Sequence, residues 1–295
     1  MSYRTWGLIF ALVGTLAFSF RPILIKLSYA AAQVSPVTLL FLRMTLSVPF
    51  FLAVAWWLRN QEPRLTGRDW AAVAALGLLG YYLASFLDFL GLQYVGAGVG
   101  RLIMFLYPTL VLLLSFLFLK KSPTWRQISA LLLSYAGIAL VVSHQVSAQD
   151  RWFVVGALLV FGGALAYAVY LVAGSQVVRR VGSMRFTAYS MAVSTVPAVI
   201  QFFILEQPGL ALDLPAQVWI YVFLLATFIT VLPVFLQAEA LRRIGANEFA
   251  LIGAVGPVSA AVMSALALDE PFTAVQALGA ALVIAGVLLI SLKRS

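Results

Sequence analysis

Ten runs of about 20 apolar residues follow one another along the chain, each long enough to carry a helix across a hydrocarbon core of roughly 30 Å. They fall near Thr5 to Lys26, Pro36 to Leu58, Trp70 to Gly91, Ala97 to Leu119, Trp125 to Ser143, Trp152 to Gly174, Arg185 to Leu205, Ala216 to Ala238, Glu248 to Leu268 and Ala274 to Leu292. Only 10% of the 295 residues are charged and 63% are hydrophobic, with a mean hydropathy of +1.02. A soluble domain carries about 25% charged residues, so this chain has too few to build a surface against water. The expected fold is therefore all-α: a polytopic membrane protein of ten transmembrane helices joined by short loops. The longest polar interruption, Arg59 to Asp69, is too short to hold a soluble domain.

The first run invites comparison with a cleavable leader, because Arg4 precedes it and Tyr29-Ala30-Ala31-Ala32 resembles a small-residue cleavage site. Arg21, Pro22 and Lys26 make the intervening stretch too long and too basic, so a retained helix is expected. With no cysteine, neither disulfides nor thiol chemistry enters the mechanism. Lys and Arg in short loops set orientation. With a cytoplasmic N-terminus, the cytoplasmic side carries Arg4, Arg59, Arg64, Arg68, Lys120, Lys121, Arg126, Arg179, Arg180, Arg185, Arg242, Arg243, Lys293 and Arg294. The other side carries only Lys26 and Arg151, together with Asp150, Glu206, Asp213, Asp269 and Glu270. The expectation is a bacterial inner (plasma) membrane protein with both termini cytoplasmic. The net charge of +9 then reflects topology in a lipid bilayer, and no nucleic-acid partner is expected.

The chain also repeats itself. SFLFLKKSPTWRQ, from Ser115 to Gln127, recurs 149 residues later as SALALDEPFTAVQ, from Ser264 to Gln276, with two lysines exchanged for two acids. The same offset aligns Gly7 with Gly156, Trp70 with Trp219, Phe86 with Phe235, Gly96 with Gly245, Pro108 with Pro257 and Gly137 with Gly286. Residues 1–146 and 147–295 thus form two repeats of five helices each. Five is odd, so the second repeat enters the membrane from the opposite side: an inverted 5+5 repeat around a central cavity. Inverted repeats suit secondary transporters, whose two equivalent packings expose a midplane site to one side or the other.

The segments GAGVGRLIMFLYPTLVLLLSFLFLKKSPTWRQISALLLSYAGIAL and GANEFALIGAVGPVSAAVMSALALDEPFTAVQALGAALVIAGVLLI resemble the two EamA domains of the drug/metabolite transporter superfamily. The resemblance, which includes similarity to the YddG-like amino acid exporters, spans nearly the whole chain. It implies a ten-helix fold in which helices one to four and six to nine surround a cavity, with the fifth and tenth at the back. It also implies export of amino acids or similar metabolites. Members of the family often have Trp where Phe18 and Tyr167 stand, so substrate identity does not carry over.

Ionisable groups at membrane depth cost roughly 2.5–3.5 kcal/mol or more, which makes each a functional candidate. Arg21, Arg43, Asp88 and Arg101 all belong to the non-cytoplasmic half of the first repeat, and their counterparts at the 149 offset, Tyr170, Ala192, Gln237 and Ala250, carry no charge. Asp88 either pairs with one or two arginines to lock helices together, or titrates a coupling proton. The positive charge left over would receive a substrate carboxylate or phosphate, with Arg43, the deepest, as first choice. Arg21 and Arg101 can instead snorkel to the headgroups. Glu239 and Arg243 suit an i, i+4 ion pair, and His144 reads as a loop residue.

Mid-span tyrosines need hydrogen-bond partners when buried, so Tyr81, Tyr82, Tyr107 and Tyr167 join Phe18 as candidate substrate-binding residues. Trp6, Trp70, Trp125, Trp152 and Trp219 stand at span ends, where interface aromatics belong. Pro108 and Pro257 each remove a mid-helix hydrogen bond and are candidate hinges. Gly137 and Gly286 are suited to close helix packing.

The sequence has no G-x-x-x-x-G-K-[ST], H-E-x-x-H or G-x-S-x-G, no cysteine and one histidine, so neither an ATP-driven pump nor an enzyme is expected, and neither is any cofactor or metal. The function expected is alternating-access transport of a small molecule, namely export of an amino acid or similar amphipathic compound, by a monomer or homodimer. An importer or exchanger of a small organic anion and a non-transporting scaffold are the alternatives.

Overall fold

The structure, a computed structural model, describes residues 3–60, 64–119, 124–145, 151–207, 209, 211, 213–253, 255–270 and 273–291. Lys120, Lys121, Asp150, Lys293 and Arg294 lie outside these residues, as do the side chains of His144, Arg179 and Arg242. Every regular element among the described residues is helical. Seven helices are long and apolar enough to cross a membrane, and shorter apolar helices at Ile128–Val141, Val255–Leu268 and Ala274–Gly286 occupy the places of the other three spans.

Several spans are interrupted, and the interruptions have local causes. The first span is two helices, Tyr3–Ser19 and Arg21–Ala31, with Pro22 just inside the second. Pro is tolerated in a first helical turn, where its missing N–H has no intrahelical partner to lose. Its counterpart at the 149 offset is Leu171, and the sixth span runs unbroken over Arg151–Val181. The second and seventh spans are Pro36–Trp57 and Ser183–Leu205. The third comprises Gly67–Gly77, a π-helical Leu78–Leu83 and Ala84–Gly91. The eighth comprises Ala216–Ala226, a π-helical Thr227–Val231 and the start of Leu232–Gly253.

The fourth span breaks between Ala97–Met104 and Tyr107–Leu119, whereas the ninth is described as Val255–Leu268, with Ala254 outside the described residues. The break in the fourth lies just ahead of Pro108, which cannot donate to the carbonyl four residues earlier and crowds it. There Leu106 bonds back only three residues, to Ile103, at 3.0 Å. The non-helical loop expected between Ala238 and Glu248 is not seen; the backbone stays helical from Leu232 to Gly253. Ala, Leu, Arg and Glu dominate that stretch, all strong helix formers, with Gly245 the one weak residue.

The tertiary packing is that of an inverted repeat. Equivalent helices pair antiparallel: Phe41 of the second span stacks on Phe202 of the seventh at 4.0 Å, while at the other end Tyr189 of the seventh donates to the Ala55 carbonyl of the second. The fourth and ninth spans also run antiparallel, with Gly98 facing Ser264 and Arg101 facing Gly256. So do the fifth (Trp125–Gln145) and tenth (Ala274–Ser291), where a Cβ on Gly279 would lie 2.7 Å from the Gly137 oxygen and one on Gly286 2.6 Å from the Ala130 oxygen. These two helices approach backbone to backbone, as small residues permit in lipid.

Remaining pairs obey the same symmetry. The third span packs on the sixth through Gly91 with Gly156 and Ala84 with Gly163, and the eighth packs on the first through Pro233 with Gly14. Partner residues related by the offset meet near Ser47 and Val196 in one pair and near Met104 and Gly253 in another, which marks the level of a twofold-like axis in the membrane plane. Arg43 and Arg101 each sit about one helical turn, roughly 6 Å, from that level, both toward the face opposite the basic loops.

Candidate functional site

The third span presents Tyr81, within the π-helical turn, and Ser85, Asp88 and Phe89, beyond it, at spacings of four, seven and eight residues, so they share one face. Two arginines converge on that face. Arg21 Nη2 lies 3.2 Å from Asp88 Oδ2 and donates to Ser85 Oγ at 3.2 Å. Arg43 Nη2 donates to the same Ser85 Oγ at 3.3 Å, and its other contacts are the Met44 sulfur at 3.3 Å and the Phe89 ring. Both guanidinium carbons stand 5.5 Å from the centroid of Phe89, within cation–π range. Arg43 is 3% exposed and Asp88 6% exposed.

Arg101 occupies the junction of the broken spans. Its Nη2 would lie 3.5 Å from a Cβ on Gly256, the residue before Pro257. Ser19, at the break in the first span, and Ser259 set their hydroxyls 3.0 and 2.9 Å from the Gly256 carbonyl oxygen and 2.8 Å from each other. Asp88, Tyr107 and Tyr167 are within Coulombic reach of the guanidinium. The Nε atoms of Arg21, Arg43 and Arg101 are all buried without a hydrogen-bond partner among the described residues. Three cations and one anion at membrane depth leave two positive charges uncompensated, a costly arrangement unless an anion completes it.

Tyrosines continue the cluster toward the sixth span. Tyr107 meets Tyr167 edge-on at 5.3 Å, Tyr167 stacks on Tyr170 at 5.8 Å, and the Tyr170 hydroxyl donates to the Tyr81 hydroxyl at 3.0 Å. Tyr82 points elsewhere and stacks on Phe86, since adjacent helical residues diverge by about 100°. Phe18 is half-buried beside the break at Phe20. The structure thus brings Arg43, Asp88, Arg101, Tyr81, Tyr107 and Tyr167 together with Arg21 and leaves Tyr82 outside.

Other sequence expectations meet their geometry. Glu239 and Arg243 form the i, i+4 pair at 2.7 Å, and Arg243 also covers Tyr3 and Phe10 of the first span. Arg185, counted among the loop cations, is instead 2% exposed, because the seventh span starts two residues before it and draws it inside. Asp69 caps the third span through Thr66 and pairs with Arg180 of the sixth.

Sequence reasoning missed Ser85, Phe89, Tyr29 and Glu270 as functional groups. For the first two, the signal was available as a one-face pattern with Tyr81 and Asp88. Tyr29 donates to the Phe89 carbonyl at 2.8 Å and also lines an open recess of about 400 Å³ with Lys26, Gln33, Ser35 and Gln93. It connects the face opposite the basic loops to the ring on which both arginines lie.

Residues 5–143 and 154–292 both match the EamA-like transporter family, and the two matched stretches keep the 149-residue offset. The uncharacterized transporter YcbK of Bacillus subtilis is 28% identical over 92% of this chain and 88% of its own. The uncharacterized transporter YyaM of the same organism is 26% identical over 88% of this chain and 86% of its own. The uncharacterized transporter sll1319 of Synechocystis is 22% identical over 98% and 94%. One solved crystal structure superposes with a TM-score of 0.68 at 17% identity, covering 97% of each chain, and so shares the fold. The chain belongs to the EamA-like transporter family.

Proposed function

We propose that this transporter is an alternating-access carrier that exports a small organic anion, an amino acid or a related carboxylate, across a bacterial inner membrane with both termini in the cytoplasm. One observation carries the reading. Arg43 is buried at membrane depth, yet its hydrogen-bond and ring partners among the described residues are all neutral, a hydroxyl, a thioether and an aromatic ring, and Asp88 acts on it only through space. Asp88 is engaged by Arg21 rather than by Arg43. A substrate carboxylate supplies the missing counter-charge, docking between Arg43 and Arg101 with Tyr81, Tyr107 and Tyr167 beside it. Arg favours such a role because its planar fork matches a carboxylate with two parallel hydrogen bonds.

The cycle requires the two repeats to rock about the in-plane axis, with Pro108 and Pro257 permitting the fourth and ninth spans to bend. Counterflow in proteoliposomes against a panel of amino acids, nucleosides and organic acids tests the function. Saturable, competable flux of a carboxylate is expected, and Arg43→Ala abolishes it while leaving folded protein in the membrane. No flux for any member of the panel overturns the carrier reading, and retained transport in Arg43→Ala removes that residue from the site.

A further inference from the structure

The two repeats also meet where no substrate-binding group is involved. The corner after the ninth span places Asp269 in the left-handed region at φ 52° and turns Glu270 back toward the fourth span. The two carboxylate oxygens of Glu270 accept the backbone N–H groups of Ala97 at 2.8 Å and Gly98 at 3.2 Å. Those are among the first donors of the helix Ala97–Met104, which leave a helix start without intrahelical partners. Gly96 at the cap supplies no side-chain acceptor. A carboxylate there also faces the positive end of the helix dipole. A Cβ on residue 96 would lie 2.9–3.1 Å from the Glu270 carboxyl atoms, so glycine lets the acid come close.

The sequence does not repeat the acceptor in the other half. By the 149 offset, Glu270 corresponds to Lys121, Ala97 to Ala246 and Gly98 to Asn247. An ammonium group has no lone pair with which to accept a backbone N–H. The helix held by Glu270 is short, ending at Met104 before the break at Phe105 and Leu106, and it carries Arg101 one turn from the cap. Cap at one end and break at the other make it a separate lever.

We propose that Glu270 is a positioning residue for transport, a latch that holds the lever Ala97–Met104, and with it Arg101, against the ninth span and keeps the face opposite the basic loops closed. This rests on the alternating-access reading. Opening that face requires the carboxylate to leave the two N–H groups, whereas opening the cytoplasmic face does not. The latch therefore biases the resting protein away from the outward-open form.

The natural absence of cysteine makes the test direct. Val99, on the lever and 3% exposed, lines a small pocket of about 20 Å³ together with Glu270. A Val99→Cys reporter is treated with a membrane-impermeant thiol reagent from the side opposite the basic loops. Glu270→Gln is expected to raise its labelling rate about tenfold, the factor for roughly 1.4 kcal/mol. Gly96→Ala, which pushes the carboxylate away while keeping its charge, is expected to raise it in the same direction, and Glu270→Asp to raise it less than Glu270→Gln. Gln93→Cys, already exposed at the recess, labels at one rate in every background. Unchanged Val99→Cys labelling in both Glu270→Gln and Gly96→Ala overturns the latch, and so does a rise matched at Gln93→Cys, which marks general loosening. Labelling needs no substrate, so failure of the counterflow panel and failure of the latch are separate outcomes.

Discussion

Ser85 is the residue on which both Arg21 and Arg43 depend, since one hydroxyl oxygen accepts from each at 3.2 and 3.3 Å. Hydrogen bonds to charged groups are worth about 1.5–3 kcal/mol each, and part of that is recovered when the guanidiniums relax onto substrate. Ser85→Ala is therefore expected to raise the half-saturating substrate concentration roughly tenfold in counterflow assays, with maximal flux within about threefold of the parent. Gly80 makes a different demand. A Cβ there would fall 2.3–2.6 Å from the Tyr170 side chain, whereas at Gly67 it would meet nothing within 4 Å. Overpacking a tight contact costs about 1–3 kcal/mol, so Gly80→Ala is expected to lower the unfolding temperature in detergent by several degrees while Gly67→Ala does not. Ser85 and Phe89 could be read from their spacing with Asp88, but Tyr170 could not. Its partner Tyr81 lies 89 residues away in sequence, and nothing local joins them.

Among the elements, the break at Phe105–Leu106 was foreshadowed by Pro108, because proline acts through its own covalent geometry. Replacing Pro257 by Ala restores one helical hydrogen bond, worth about 1 kcal/mol, to the straight form of the ninth span. The expected outcome is exchange slowed about fivefold with the unfolding temperature held or raised; unchanged exchange would mean that Pro257 is not a hinge. The π-helical turns were not foreshadowed. They fall at matching places, Leu78–Leu83 and Thr227–Val231, yet proline follows only the second, as Pro233, where the first has Ala84. Shared geometry without a shared residue points to packing as the cause, with Gly80 closing on Tyr170 in one repeat and Pro233 on Gly14 in the other. Such turns are frequent at functional sites, and the first one sits directly above the Arg21–Asp88 pair.

For the whole molecule, the backbone symmetry and the chemistry part company. Helix pairings repeat between halves, but the ion cluster does not: where the first repeat has Arg21 and Asp88, the second has Tyr170 and Gln237. An asymmetric charge site inside a symmetric frame is what a carrier needs to take one substrate from either side. If Asp88 also carries a coupling proton, Asp88→Asn leaves counterflow of substrate intact and removes the dependence of net flux on an imposed pH gradient. Undiminished gradient dependence in that variant would rule Asp88 out as the coupling group.

The sequence by itself determined the succession of apolar spans and the inversion of one repeat against the other, and its loop cations set the orientation expected. Run length, loop charge and an offset of 149 residues are properties of the chain read along its length. Rotation of each helix about its own axis is not such a property. Most of these spans are apolar all round, so no amphipathic stripe says which face turns inward. Only packing against neighbours put Ser85 between two arginines and Glu270 on the Ala97 helix, and only packing turned Tyr82 away from the cluster that Tyr81 joins.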